Sequence, residues 1–320
     1  MEQAILKFNT QFEFEPIIEN KENFTPQNRF IVGGMGGSHL GADILKTVNP
    51  FLDMTVYRGY GLPPLPQKYF KDTLFIASSY SGNTEETIDF ARTAYQNKHR
   101  LLCIAIGGKL LDFAKENGIP YIQMPDTGIQ PRSALGFSAL SIAKAMQDDL
   151  LFEGFKKLSK ILSPADLKVQ GENIAEELYG KVPVIYASNQ YETVAYNWKI
   201  KFNETAKIPA FYNVLPELNH NEMTGFDKTE NTKNIMDKFH FIFIAGSDDH
   251  PQVLKRIEVT ERLYEERGLP STKIWLEGES RAERIFKNLL IADWTALTLS
   301  SKYDTESEQV PMVEEFKKLV

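Results

Sequence analysis

The chain has 320 residues, of which 42% are apolar and 25% charged, and its formal net charge is −7 at pH 7. This length predicts about two domains with a large buried core, and an acidic balance without a basic bias argues against a nucleic-acid partner. Cys103 is the single cysteine, which excludes an internal disulfide, and neither a signal-like start nor a run of 18 apolar residues occurs, so we expect a cytoplasmic protein.

Five apolar runs in the first half predict β-strands that alternate with helical patterns. They are Phe30–Val32, Met54–Tyr57, Leu74–Ala77, Leu101–Ile106 and Tyr121–Met124. This alternation predicts right-handed crossovers and an α/β domain whose mostly parallel sheet is covered on both faces. Ligands of such sheets bind at the carboxyl ends of adjacent strands, so the loops after the first and third runs are candidates.

The first strand ends in a glycine-rich segment, Gly33–His39. Its glycines permit a tight turn and a close approach of the backbone to a ligand. As a dinucleotide-binding fingerprint it is incomplete, because His39 stands where the third glycine should be. The dinucleotide interpretation is therefore disfavoured, and the segment is expected to face the same crevice as the loop after the third strand.

The third strand leads into a hydroxyl-rich loop, Ser78–Thr87, which we call the serine loop. It opens a helical pattern through Ile88 and Ala91. A helix N-terminus offers unpaired N–H groups and the positive end of the dipole, so clustered hydroxyls there predict a site for a small anion, phosphate above all. The loop lacks the lysine of an NTP-binding P-loop. The alternative is that one hydroxyl caps the helix and the others have no role.

Arg132 lies in the loop Gly128–Gly136, which we call the arginine loop, just before an apolar helical pattern from Phe137 to Met146. An arginine at a helix start opposes the dipole, so its position suggests an outside partner such as an oxyanion. The alternative is a surface ion pair with Asp126.

The second half repeats the plan of the first. Its predicted strands are Val182–Ala187, Ala210–Tyr212, His240–Ala245 and Lys273–Leu276. The Lys- and Glu-rich segment Phe152–Asn173 predicts a helix pair that joins two domains, residues 1–152 and 153–320.

The two halves differ at the helix start that follows the third strand of each. The first half has the hydroxyls of the loop Ser78–Thr87, and the second has Ser247, Asp248 and Asp249. Two carboxylates would repel a phosphate at such a helix start. We therefore expect only the first half to hold an anion.

Glu204 lies near the end of a predicted helix whose apolar residues Trp198 and Phe202 are four apart and face inward together. The negative end of the helix dipole disfavours a carboxylate and raises its pKa, which makes a better base near neutral pH. The alternative is a solvated glutamate paired with Lys201 or Lys207.

His220 lies in a polar loop, Pro216–Glu222, without a second histidine at a metal-binding spacing. A metal site is therefore not expected, and His220 is a candidate acid or base or else a bystander. The C-terminus predicts a short helix that packs Val313 and Phe316 inward, with Lys317 and Lys318 in its last turn.

Five segments together resemble the bifunctional phosphoglucose/phosphomannose isomerases, which belong to the phosphoglucose isomerase superfamily and are built from two sugar isomerase (SIS) domains. The resemblance runs from about Phe30 to Leu319, and the combination is more specific than the serine loop alone. The segments are Gly33–Ser38, Ser79–Thr87, Pro131–Ser138, Asn203-Glu204 and Glu217–Glu222.

The resemblance implies a role for each candidate residue. The sugar phosphate would be bound by Gly37, Ser38, Ser79, Ser81 and Thr84. Arg132 would steady the charge of an enediolate, and Glu204 would move a proton between C1 and C2. His220, reaching in from the other subunit of a homodimer, and Lys317 would assist ring opening. Lys318 is the alternative to Lys317, because the preceding segment Tyr303–Gln309 departs from the family's usual Asp-Pro entry.

The expected function is thus metal-independent and cofactor-free interconversion of glucose 6-phosphate, and also mannose 6-phosphate, with fructose 6-phosphate. One alternative is a sugar-phosphate sensor, since SIS domains also serve regulators. A second is an aminosugar-phosphate isomerase. Membrane and nucleic-acid partners are not expected.

Overall fold

The computed structural model describes residues 1–319. A short helix, α1 (Glu2–Leu6), begins the chain. Two compact units follow: Lys7–Leu162 forms the N-terminal unit, and the chain from Ser163 onward, together with α1, forms the C-terminal unit.

The predicted division between residues 152 and 153 falls inside a helix, Asp149–Lys156. That helix buries Phe152 and Phe155, and the next one buries Leu158, all within the N-terminal unit. The apolar side chains of the connecting segment therefore place it with the N-terminal unit as far as Leu162.

The N-terminal unit is a five-stranded parallel sheet flanked by helices. Its strand order is β2-β1-β3-β4-β5. The strands are β1 (Arg29–Gly33), β2 (Met54–Tyr57), β3 (Thr73–Ser78), β4 (Arg100–Ala105) and β5 (Tyr121–Gln123). The helices are α2 (Gly37–Val48), α3 (Glu85–Gln96), α4 (Gly108–Glu116), α5 (Leu135–Met146), α6 (Asp149–Lys156) and α7 (Leu158–Ile161).

All six residues of β3 are buried, because β1 and β4 flank this strand and helices cover both faces of the sheet. Phe75 of β3 packs against Phe90 of α3, with ring centroids 5.9 Å apart. Cys103 lies in the same core, where burial raises the pKa of its thiol. Cys103 is therefore a buried core residue whose thiolate form is disfavoured.

The C-terminal unit is a four-stranded parallel sheet with the order β7-β6-β8-β9. The strands are β6 (Val182–Ser188), β7 (Phe211–Leu215), β8 (Phe239–Gly246) and β9 (Ser271–Leu276). The helices are α8 (Lys168–Leu178), α9 (Glu192–Lys201), a π-helical turn (Phe202–Ala206), α10 (Glu222–Gly225), α11 (Lys233–Met236), α12 (Pro251–Glu265), α13 (Arg281–Lys302) and α14 (Pro311–Lys317).

The order β7-β6-β8-β9 matches β2-β1-β3-β4 strand for strand, which confirms the internal repeat. The α/β fold class with parallel sheets flanked by helices is confirmed in both units. Within residues 1–319, no helix has the length and apolar character needed to cross a bilayer.

Candidate active site

The carboxyl ends of β1 and β3 are adjacent, since Gly33 pairs with Ala77 in parallel register. The order β2-β1-β3 places a topological switch point between these two strands, where open α/β sheets bind ligands. The Ser38 hydroxyl after β1 accepts a hydrogen bond from the Tyr80 N–H after β3, at 2.8 Å. The two candidate loops therefore meet at this edge, as the sequence predicted.

Close backbone packing at this edge depends on two glycines. A Cβ on Gly34 would lie 2.7 Å from the carbonyl oxygen of Ser78. A Cβ on Gly37 would lie 2.7 Å from the carbonyl carbon of Pro131 and 2.8 Å from the amide nitrogen of Arg132. The start of α2 thus contacts both the hydroxyl-rich loop and the arginine loop, and only glycine leaves room for these contacts.

Two hydroxyl groups of the loop contact each other, and a third accepts a separate hydrogen bond from the backbone. The Oγ of Ser79 lies 3.0 Å from the Oγ1 of Thr84 and accepts a hydrogen bond from the N–H of Gly82 at 3.1 Å. Ser81 is exposed and its Oγ accepts from the N–H of Asn83 at 3.2 Å. Ser38 and Ser79 are buried, so their hydroxyls shape the loop, whereas Ser81 lies at its surface.

Thr84 is the N-cap of α3, but its side chain makes no capping hydrogen bond. Its hydroxyl lies against Ser79 instead. The alternative in which a loop hydroxyl caps the helix is therefore not realised by Thr84. The first-turn N–H groups of α3, which have no acceptor within the helix, remain suited to an anionic ligand.

Arg132 lies in a single 3₁₀ turn, Pro131–Ser133, directly before α5. Its side chain is only 2% exposed, which is not what a solvated surface ion pair with Asp126 predicts.

The arginine loop is held by a residue that sequence reasoning missed. The side-chain amide of Gln11 donates to the carbonyl of Ser133 at 2.7 Å and accepts from the N–H of Gly136 at 3.0 Å. Gln11 lies more than a hundred residues earlier in the chain, and no local pattern marks it. A buried glutamine with both functions satisfied fixes the loop on either side of its contact.

In the C-terminal unit, Glu204 lies in the π-helical turn that ends at Ala206, which confirms its predicted place near the end of the helix. The predicted inward pair, Trp198 and Phe202, is buried with ring centroids 5.6 Å apart. Glu204 is half-buried between the fully buried Phe202 and Thr205. The backbone therefore presents this carboxylate from a packed surface.

The proposed pairing of Glu204 with Lys201 is not observed, because the Lys201 ammonium lies 2.6 Å from Asp293. Lys207, whose left-handed backbone caps the turn, donates from Nζ to the main-chain carbonyl of Glu204.

His220 is exposed at the end of a 3₁₀ turn, Glu217–His220. A residue on each side of it is anchored to the body of the unit. Asn219 donates to the hydroxyl of Thr260 on α12 at 2.8 Å. Glu222 accepts from the hydroxyl of Tyr186, in the middle of β6, at 2.6 Å. The loop is thus fixed on both sides of an imidazole that faces outward.

Lys317 lies on the exposed helix α14, where it pairs with Glu314 at 2.7 Å. The prediction that this helix packs its apolar side chains inward is wrong, since Val313 is 46% and Phe316 61% exposed. Apolar spacing shows that a helix has an apolar face, but not that a surface covers it.

The counterpart of the serine loop in the C-terminal unit is occupied by its own side chains. Asp248 accepts hydrogen bonds from the hydroxyl of Tyr191 and from Arg281, both at 2.6 Å. Burial opposes its ionisation, but Tyr191, Arg281 and Arg284 together hold the pKa of Asp248 below its ordinary value. Where the N-terminal unit has hydroxyls, the C-terminal unit thus has a carboxylate that is already paired within its own unit.

Within residues 1–319, His, Cys, Asp and Glu side chains form no group of three that could hold a metal ion.

Solved structures of other proteins share this architecture. Glucosamine-6-phosphate deaminase from Thermotoga maritima superposes with a TM-score of 0.69 at 15% identity, covering 97% of each chain. Tagatose-6-phosphate ketose/aldose isomerase from Escherichia coli gives 0.68 at 16% identity, covering 94% of this chain and 92% of that one. At these identities the likeness establishes architecture alone.

Sequence similarity identifies the family to which the chain belongs. Residues 168–320 match the family model for the bacterial phospho-glucose isomerase C-terminal SIS domain. The bifunctional phosphoglucose/phosphomannose isomerase of Aquifex aeolicus is 33% identical over 97% of this chain and 95% of its own length. That of Thermoplasma acidophilum is 34% identical over 92% and 90%. The chain belongs to the bifunctional phosphoglucose/phosphomannose isomerase family.

A further relative carries a different name. The D-glucosamine-6-phosphate 4-epimerase of Sulfolobus acidocaldarius is 26% identical over 88% of this chain and 85% of its own length.

Proposed function

We propose that this chain is an aldose–ketose isomerase that interconverts glucose 6-phosphate and mannose 6-phosphate with fructose 6-phosphate through a shared enediol. The observation that carries the proposal is the contact of the Ser79 and Thr84 hydroxyls at the start of α3, a helix start with no side-chain cap from Thr84, at the switch point of the first sheet. Family membership supports the reaction, and the serine loop supports a binding site for the phosphate group of the substrate.

The phosphate would bind at the start of α3. Ser81 and Thr84 would donate their hydroxyls together with the first-turn amides, while Gly37, Ser38 and Ser79 would keep the loop in the shape that admits the anion. Binding energy from this remote group can orient the reacting carbons.

The isomerisation itself needs one base and one electrophile. Glu204 would remove the proton from C2 of the aldose and return it to C1, while the proton of the C2 hydroxyl passes to the C1 oxygen. Arg132 would stabilise the oxyanion that develops between these steps. Positioned proton transfer contributes roughly 10²–10⁴-fold, and a fixed charge at the oxyanion about 10²–10³-fold. The step balances with acid and base alone, so no metal or cofactor is assigned.

Ring opening would use His220 and Lys317. The exposure of His220 on an anchored loop supports a role toward a second copy of the chain, and we therefore propose a homodimer in which the imidazole enters the partner's site. The exposure of Lys317 supports the same kind of role for α14, with Lys318 as its alternative. A cytoplasmic location completes the proposal, consistent with a single buried thiol.

The test is a coupled assay of EDTA-treated protein on glucose 6-phosphate and mannose 6-phosphate, comparing the wild type with Glu204→Gln. The expected loss in kcat is at least ~10²-fold, the lower bound for a positioned base. Glu258→Gln, the same change at an exposed site on α12, is the matched control and should retain activity. Full activity in Glu204→Gln would refute the assigned base.

The epimerase relative favours one second candidate, an enzyme acting on an aminosugar phosphate. Glucosamine 6-phosphate in the same assay decides between the two. Turnover of this compound above that of both neutral aldoses would replace the primary proposal. Thermal stabilisation by fructose 6-phosphate with no turnover of any hexose phosphate would favour a sensor instead.

A further inference from the structure

A buried ion pair lies directly before the turn that carries Glu204. Lys201 is the last residue of α9, and its Nζ lies 2.6 Å from the Oδ1 of Asp293 on α13. The two side chains are 1% and 3% exposed. Both charges have therefore been removed almost completely from water.

Such a pair is a poor device for stability. The cost of desolvating two charges offsets most of their attraction, and apolar side chains of similar volume are often as stabilising or more so. An ion pair differs from an apolar contact in that its hydrogen bond has a fixed length and direction.

A second polar contact lies along the seam where α9 packs against α13. Trp198, one helical turn before Lys201, donates from its indole N–H to the Oδ1 of Asn288 on α13 at 2.6 Å. Two directional contacts between the same pair of helices fix both the rotation and the axial position of α9 against α13. An apolar seam would tolerate small slips of either kind.

The chain leaves this seam through the π-helical turn Phe202–Ala206. π-helical turns in proteins are rare and occur frequently at functional sites. The far end of this turn is closed by Asn203, whose side-chain amide donates to the carbonyl of Ile208 at 2.9 Å, and by the contact of Lys207 with the Glu204 carbonyl. The turn is thus fastened at its end, and the ion pair fastens its beginning.

We infer that Lys201 and Asp293 are positioning residues that set where the backbone presents the Glu204 carboxylate to the substrate. This inference rests on the proposed function of Glu204 as the base. Neither side chain takes part in the reaction, and the pair acts through the turn.

The test replaces both charges together, because removing one partner would leave the other buried and unpaired. In the double variant Lys201→Met/Asp293→Leu, the volume and the apolar packing are retained while the directional contact is lost. We expect thermal unfolding close to that of the wild type, a KM for fructose 6-phosphate within about twofold, and a kcat reduced about 10–100-fold, because small displacements of a catalytic group carry large rate penalties. Lys201→Arg, which keeps the charge and a donor for Asp293, should give an intermediate kcat.

Thr295→Val is the matched control on α13. Its hydroxyl is buried and donates to the carbonyl of Ile291 in the same helix, so this change removes a buried polar group without touching the seam. We expect wild-type kcat and KM for this variant.

Hydrogen exchange of the 202–207 amides supplies a readout that does not depend on turnover. Faster exchange of this segment in the double variant, with other segments unchanged, would support the inference. Wild-type kcat together with unchanged exchange in the double variant would overturn it. If the wild type itself fails to isomerise the hexose phosphates, the proposed function falls, and the exchange of this segment decides alone whether the pair anchors the turn.

Discussion

The contact between Gly37 and the arginine loop offers a way to disturb the site while leaving most of the fold intact. Gly37 is the first residue of α2, in a helical conformation that alanine adopts readily, so Gly37→Ala changes packing alone. The added Cβ would lie 2.7 Å from the carbonyl carbon of Pro131, whereas ordinary contact begins at 3.4 Å. The backbone next to Arg132 must therefore retreat by the difference, 3.4 − 2.7 = 0.7 Å.

The two consequences of this retreat have separate magnitudes. Overpacking costs about 1–3 kcal/mol, and the replacement of a helical glycine by alanine returns about 0.5–1 kcal/mol, so the net loss in the free energy of unfolding is at most about 2.5 kcal/mol. A displacement approaching 1 Å at a charge-stabilising group can cost about 10²-fold in rate, so we expect kcat/KM to fall about 10–100-fold.

Gly154→Ala is the control. Gly154 is exposed in α6, and no atom lies within 4 Å of the position that its Cβ would take. This variant should gain stability and keep full activity. The measurements are steady-state isomerase kinetics and thermal unfolding of both variants beside the wild type. A Gly37→Ala protein that gains stability as Gly154→Ala does, with wild-type kcat/KM, would show that the arginine loop does not depend on this contact.

Two further predictions concern the C-terminal unit. Tyr186→Phe removes the hydroxyl that donates to Glu222, a contact to a charged group worth about 1.5–3 kcal/mol. Because Glu222 anchors the loop of His220, we expect a lower kcat and a lower melting temperature. Normal activity in this variant would contradict the prediction. Burial lowers the pKa of His240 below its ordinary value, so the unfolded chain binds the proton more tightly and stability should fall as the pH drops through about 6.5. His240→Gln should flatten the dependence of the melting temperature on pH below 7, and an unchanged slope would contradict the assignment.

The strands could be predicted because each is a short, nearly continuous apolar run, the pattern of a parallel strand buried on both faces. The run Leu74–Ala77 lies within β3, and His240–Ala245 lies within β8. The serine loop could be predicted for a related reason. Its chemistry depends on a strand, a turn and a helix start that are consecutive in the chain, so local pattern contains all the information.

The features that escaped prediction join residues far apart in the chain. Gln11 contacts Ser133 across a separation of 122 residues, and Lys201 contacts Asp293 across 92. A lone glutamine in an amphipathic segment, or a lysine in the last turn of a helix, has an ordinary surface explanation until the partner is known. The π-helical turn at Glu204 was likewise unpredicted, since the residues Phe202–Ala206 carry no local pattern that distinguishes it from an ordinary helix end.

The two units show how a repeated fold can carry different side chains at the same position. Both have the same strand order and the same strand–loop–helix connection after the third strand, so each presents a helix N-terminus at the same place in its sheet. In the C-terminal unit, the carboxylate of Asp248 has filled that place and is neutralised by Arg281 and Arg284. At this position the two units therefore differ in charge and in hydrogen-bonding partners.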